Sequence, residues 1–185
     1  MGAVLDRGFA GSFLTMDFAT LIQNRIDTLG AGNLVRQSWD RLSPLPGGKR
    51  LFSRLLGRLA PYTGTIHALV EELGEGYSRT SMEDRPGSRN HLRSVHAIAL
   101  ANLIELTGNL ALAYGLPADA RFIVAGMNID YLKKARGRVT GHCECPTIES
   151  SETKEYEVPV TLSDRQGDLI ARATLRTLVG PKPSA

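Results

Sequence analysis

Between Asn90 and Glu105 the sequence places an amide, an imidazole and a carboxylate in a stretch that is otherwise almost wholly apolar, NHLRSVHAIALANLIELTGNLALAYG (90–115). A carboxylate can take a proton from water. An amide side chain can orient that water or a carbonyl, and backbone N–H groups at a helix start can hold a developing oxyanion. From His96 to Ala113 the run reads as a single helix, apolar nearly all round. At about 100° per residue, Asn102, Glu105 and Asn109 fall within roughly a 60° arc and form a polar stripe on an apolar rod. A carboxylate buried there needs partners, water or a raised pKa, and a raised pKa suits a general base. A hydrogen-bonded polar seam at a subunit interface accounts for the stripe equally well. Ser94 is the expected N-cap, which turns the first-turn amides, that of Ala97 among them, outward. Taken alone, His96 reads as a half-buried histidine with satisfied hydrogen bonds.

The elements that must position these residues follow from periodicity. Residues 1–16 read as loose chain. A helix is expected from Asp17 to about Leu29 on Phe18, Leu21, Ile22 and Ile26, and a second from Asn33 to Leu42. SPLPGG (43–48) is a break. In the following segment Leu51, Phe52, Leu55, Leu56 and Leu59 keep helical spacing, with Arg50, Arg54 and Arg58 on the other side. That basic amphipathic helix packs on the core with its arginines in water, or touches a membrane surface or an acidic protein. Two strands are expected around Gly74 and Gly76, and four more after the apolar helix. In FIVAGMNIDYL, alternation puts Ile123, Ala125, Met127, Ile129 and Tyr131 on one face. In KEYEVPVTL it groups Tyr156, Val158, Val160 and Leu162. Strands joined by tight turns pair antiparallel, and a helix apolar nearly all round must be buried on most sides. The expected architecture is α+β: a curved antiparallel sheet wrapped around one long helix, with N-terminal helices added.

Composition sets limits on partners. A chain of 185 residues suits one domain, or one domain with an appendage. A formal charge of +3 is mild and aromatic residues make up only 6%, so nucleic acid is not an expected partner. Cys143 and Cys145, two apart on an expected strand, share a face and cannot easily bond to each other; His142 points the other way. They read as half-buried thiols in a reducing compartment, with no metal site. MGAVLDRGFAGSFLTM lacks a basic segment followed by a clean apolar run, so it makes a poor signal peptide. Asp6 also breaks the myristoylation pattern. The polar residues of the apolar helix argue against its insertion in a membrane. The expectation is a soluble, cytoplasmic protein.

These motifs resemble those of the hot-dog fold thioesterases, in the branch that includes phenylacetate-pathway and small acyl-CoA thioesterases. The signature of that branch is Asn, five residues, His-Gly-Gly, six residues, then Asp or Glu, and Asn90, His96 and Glu105 stand at those spacings. MNIDYLKKARG (127–137) and LSDRQGDLIARAT (162–174) are similar to the family's later strands. The resemblance covers about Thr63 to Val179, with the first 60 residues as an added helical segment. It implies residues 1–60 as an extension, 61–180 as the hot-dog domain and 181–185 as a disordered tail.

The resemblance also implies hydrolysis of an acyl-CoA or acyl carrier protein thioester, without a cofactor beyond the coenzyme A of the substrate. Its sites form between the subunits of a homodimer or a dimer of dimers. Glu105 matches the carboxylate base or nucleophile, Asn90 the residue that places water or the carbonyl, and His96 the histidine at the helix start. Ala97 takes the first glycine position, whose N–H polarises the thioester oxygen; Asn102 and Asn109 would face the substrate. Lys133, Lys134, Arg136 and Arg138 cluster where relatives meet the coenzyme A phosphates, although a solvated basic turn explains them as well. Ala97-Ile98 replaces the Gly-Gly pair and Arg93 stands where relatives often have glycine. Those departures keep a second reading open, a non-catalytic acyl-binding or regulatory hot-dog protein. The motifs of dehydratase and hydratase relatives are missing.

Overall fold

The computed structural model describes residues 33–183, which lie in one compact unit. The helix expected over 17–29 lies outside the described residues. Among the described residues three helices come first: α1 (Leu34–Leu42), α2 (Gly48–Leu59) and the single turn α3 (Pro61–Gly64). The hairpin β1 (Leu69–Gly74) and β2 (Tyr77–Met82) follows, then the long helix α4 (Ala97–Gly115). Strands β3 (Ala120–Tyr131), β4 (Val139–Glu144), β5 (Lys154–Ser163) and β6 (Leu169–Pro181) complete the chain. All six strands form one antiparallel sheet in the order β1-β2-β4-β5-β6-β3. The sheet curves around α4, which is the expected hot-dog arrangement.

The core lies between α4 and the concave face of the sheet. Leu103 and Ile104 of α4 are fully buried against Val139, Val160, Leu162 and Leu175 of the sheet. Tyr156, Val158, Val160 and Leu162 share the inward side of β5, as their alternation requires. Helix and sheet approach closely at Gly108. A Cβ there would overlap Leu175 Cδ1 and stand 3.2 Å from both Val158 Cγ1 and Val160 Cγ2. α4 is long and apolar enough to cross a membrane, yet most of it is buried inside the protein, as a core helix must be.

The N-terminal helices are joined to this core through a second apolar cluster of Trp39, Phe52, Val70 and Leu110. The Trp39 and Phe52 rings meet edge to face at 5.1 Å. Asn33 serves two helices at once: its Oδ1 caps α1 at Arg36 N (3.0 Å), and its Nδ2 donates to the terminal carbonyls of α4 at Ala113, Tyr114 (2.9 Å) and Leu116 (3.1 Å). Ala113 O also accepts from the cap residue Leu116 N at 3.3 Å; the carbonyls at a helix end lack the usual intrahelical donors, and Asn33 supplies one from outside. At the other end of the chain Pro181 closes β6, and Lys182 donates to the carbonyls of Asp119 and Ala118.

Two expectations are corrected by packing. In α2 only Phe52 and Leu56 turn inward, whereas Leu51, Leu55 and Leu59 are exposed beside the arginines. In β3 a bulge between Val124 and Gly126 breaks the alternation. Phe122 and Val124 face inward before it, opposite Val179 and Thr177. After it Met127, Ile129 and Tyr131 face inward, opposite Leu175, Ala173 and Ala171. Ile123 is left on the convex side, 65% exposed, so the five residues read as one face are split by the inserted residue.

Candidate active site

The segment leading into α4 is built by short-range hydrogen bonds. Asn90 Oδ1 accepts from Leu92 N (2.9 Å), Ser94 N (3.3 Å) and Ser94 Oγ (3.2 Å), folding residues 90–94 into a tight loop. Within it Arg93 takes a left-handed conformation at φ 54°. Glycine adopts that region freely, so the glycine that the family resemblance leads one to expect at this position would relieve the strain an arginine bears there. His96 N then donates to Ser88 O at 2.8 Å and Val95 N to Ala135 O at 2.9 Å, fixing the entry to the helix.

The N-cap is His96, not Ser94. Its Nδ1 accepts from Ile98 N at 3.0 Å, while Ser94 is buried in the Asn90 loop. An imidazole nitrogen that accepts must carry its lone pair, so the proton sits on Nε2. The cap uses the Ile98 amide and leaves the Ala97 amide without an acceptor among the described residues. Ala97, Ile98 and Glu105 are all exposed. Glu105 is therefore not buried within one chain, contrary to expectation. It lies on the side of α4 that the sheet leaves bare, in line with Ile98.

The polar stripe divides accordingly. Asn102 is buried and donates from Nδ2 to Tyr62 O at 3.1 Å, which ties α4 to α3. Asn109 is half-buried and makes no hydrogen bond among the described residues. A contributor that sequence reasoning passed over is Tyr131, whose hydroxyl donates to Ala97 O at 3.1 Å. Loss of water around its ring holds the phenol above its usual pKa. Its signal in the sequence was a polar-tipped aromatic closing an alternating strand. Large apolar side chains are exposed around the helix start, Ile98 at 53%, Leu92 at 49% and Leu132 at 49%, interspersed with exposed His91, Arg93 and His96. The concave side of β3 adds Met127, because α4 rests mainly on β1, β2, β4 and β5 and leaves β3 bare.

The basic cluster also divides. Lys133 is held by Asp164 (2.6 Å) and Asp168 (2.8 Å), and Arg138 by Glu71 and Glu83. Lys134 and Arg136 are exposed and make no ion pair among the described residues. A basin of about 670 Å³ lies over Arg79, Arg138, Arg165 and the turn between β5 and β6. Glu71, Glu72 and Glu83 already pair with its arginines, so it is no anion cradle. Cys143 is buried and Cys145 half-buried, both as free thiols, and among the described residues no group of His, Cys, Asp and Glu could hold a metal.

A curved six-stranded antiparallel sheet around a central helix is the hot-dog fold. Residues 48–179 match the family described as a domain of unknown function, DUF4442, and the chain belongs to that family. No curated protein sequence matches it significantly. A structural-genomics crystal structure shares 30% identity, covering 80% of this chain and 99% of that one, with a TM-score of 0.71. A Pseudomonas aeruginosa protein of unknown function, named as a probable thioesterase, shares 24% identity over 75% and 97% of the two chains, with a TM-score of 0.63. A thioesterase from Haemophilus influenzae shares 16% over 68% and 88%, with a TM-score of 0.60. The last two likenesses show the fold.

Proposed function

We propose that the protein hydrolyses acyl thioesters, with Glu105 activating water and the Ala97 amide holding the thioester oxygen. The observation that carries this reading is that both groups face outward on the bare side of one helix, beside exposed apolar surface suited to an acyl chain. Glu105 and Ala97 lie eight residues apart, about 12 Å along a helix. One carbonyl needs its base and its oxyanion donor each within about 3 Å. The two groups serve one thioester only when they come from different copies of the chain. A two-fold dimer supplies that pairing twice, Glu105 of each copy opposite Ala97 of the other. Strand β3 supports such a dimer: it is twelve residues long and lies at a sheet edge, where a second copy can add strand to strand.

On this reading the attacking water gives its proton to Glu105 as its oxygen bonds to the carbonyl carbon. The oxyanion rests on the Ala97 amide until the C–S bond breaks, and the thiolate leaves to be protonated. His96 fixes the helix start and Asn90 the loop before it; Lys134 and Arg136 are the cations still available to coenzyme A phosphates. The test is thiol release from short, long and aryl acyl-CoAs. Glu105→Ala should lower kcat by about 10²–10⁴-fold in a protein that still forms dimers. Unchanged release by that variant would remove Glu105 from the mechanism. Acyl-CoA binding without release by the wild type would favour an acyl-binding protein instead.

A further inference from the structure

We infer that the outward face of α2 is a docking surface for an anionic lipid membrane. The helix rests on the protein through Phe52 and Leu56, and Ser53 Oγ accepts a hydrogen bond from Val70 N at 2.9 Å. Two adjacent rows stand beside that contact: Arg50, Arg54 and Arg58 on the arc opposite it, and Leu51, Leu55 and Leu59 on the flank between, 44%, 38% and 52% exposed. Each leucine follows an arginine by one residue, so the rows run side by side about 100° apart. Leu45, before the helix, and Tyr62, after it, are also exposed, at 56% and 66%.

Charge identifies the occupant. No acidic residue occurs between Asp40 and Glu71, a span that carries Arg41, Lys49, Arg50, Arg54 and Arg58. Among the described residues none of the three row arginines makes an ion pair. A basic row alone would suit any anion. A leucine row beside it suits the boundary between headgroups and acyl chains, where leucines enter the apolar layer and arginines reach up to phosphates. The surface is also remote from the edge assigned to the dimer, because α2 packs on β1 and β1 and β3 are opposite edges of the sheet. This inference does not rest on the thioesterase reading.

The test is co-sedimentation of the full-length protein with vesicles of phosphatidylcholine alone and of a phosphatidylcholine–phosphatidylglycerol mixture. The wild type should sediment with the mixed vesicles only, and less so in high salt. Replacing the arginines (Arg50→Gln, Arg54→Gln, Arg58→Gln) should lower the partition coefficient roughly 100-fold, from about 1 kcal/mol per cation near an anionic surface. Replacing the leucines (Leu51→Ser, Leu55→Ser, Leu59→Ser) should lower it at least about tenfold. The arginine variant should melt as the wild type does; the leucine variant gives up half-covered apolar surface and helix propensity, and should stay folded with a lower melting temperature. Four outcomes overturn the inference: no sedimentation of the wild type, unchanged binding by either variant, binding only to an acidic protein, or a leucine variant that alters oligomeric state and not vesicle binding.

Discussion

The assignment of the Ala97 amide can be tested by removing one hydrogen atom's worth of chemistry, with Ala97→Pro. Proline has no N–H, so the oxyanion donor disappears. The position is favourable for the change. Ala97 is the first residue of α4, where proline's fixed φ suits the helix and no intrahelical bond is lost. His96 sits at φ −65° and ψ 139°, the extended region that a residue before proline requires. Tyr131 bonds to the Ala97 carbonyl rather than its N–H, so that contact survives. The melting temperature should therefore change little, within about 0.5 kcal/mol of stability. Loss of one oxyanion donor should lower kcat about 10²–10³-fold, or about 2.7–4 kcal/mol of transition-state stabilisation. KM should move much less, because the donor acts on charge that develops in the reaction. Ala97→Gly keeps the N–H and should stay close to wild-type kcat. Thiol-release kinetics with thermal melts in parallel decide the matter. A folded Ala97→Pro with wild-type kcat would show that the oxyanion is held elsewhere.

Two further outcomes follow from packing and charge. Gly108→Ala drives a methyl group into Leu175 and should destabilise the protein by about 1–3 kcal/mol, read as a lower denaturant midpoint with an unchanged slope. Burial pushes the Asp84 carboxyl up, but the Arg89 ion pair at 2.6 Å, the Gly137 amide at 3.0 Å and nearby Arg136 more than reverse it, and its pKa is lowered. A lowered carboxylate contributes stability that is present above the unfolded value of about 3.9 and is lost as pH falls through the folded value. Asp84→Asn should cost about 1 kcal/mol at neutral pH and flatten the acid limb of the stability profile below about pH 4.

The order of elements was legible because each signal was local. The α4 run is too apolar to sit anywhere but in the core, and the Gly74–Gly76 turn and the SDRQG turn announce their hairpins. What was illegible depended on three-dimensional neighbours. Asn102 and Glu105 share a helical stripe, yet the carbonyl of Tyr62 lies beside one, while among the described residues the other has no hydrogen-bond partner and is exposed. Ser94 has the right chemistry for an N-cap, but Asn90 engages it first and His96 takes the position. Leu51, Leu55 and Leu59 keep core-like spacing without reaching the core, because one helix face can meet only one neighbour and Phe52 and Leu56 already fill it. The bulge in β3 had one marker, Gly126, an isolated glycine inside a strand pattern, which the alternation alone passes over.

That bulge gives the floor of the site slack in length. Ala125 is exposed and is the one extra position. Val124 stays opposite Thr177 before it and Met127 opposite Leu175 after it, so a strand shortened by that residue would keep Met127, Ile129 and Tyr131 inward by plain alternation. A residue lost between Met127 and Tyr131 has no such buffer, and would turn every later side chain of the strand to the other face. Single-codon losses are therefore absorbed at one point of the strand and reshape the acyl surface a few positions further on.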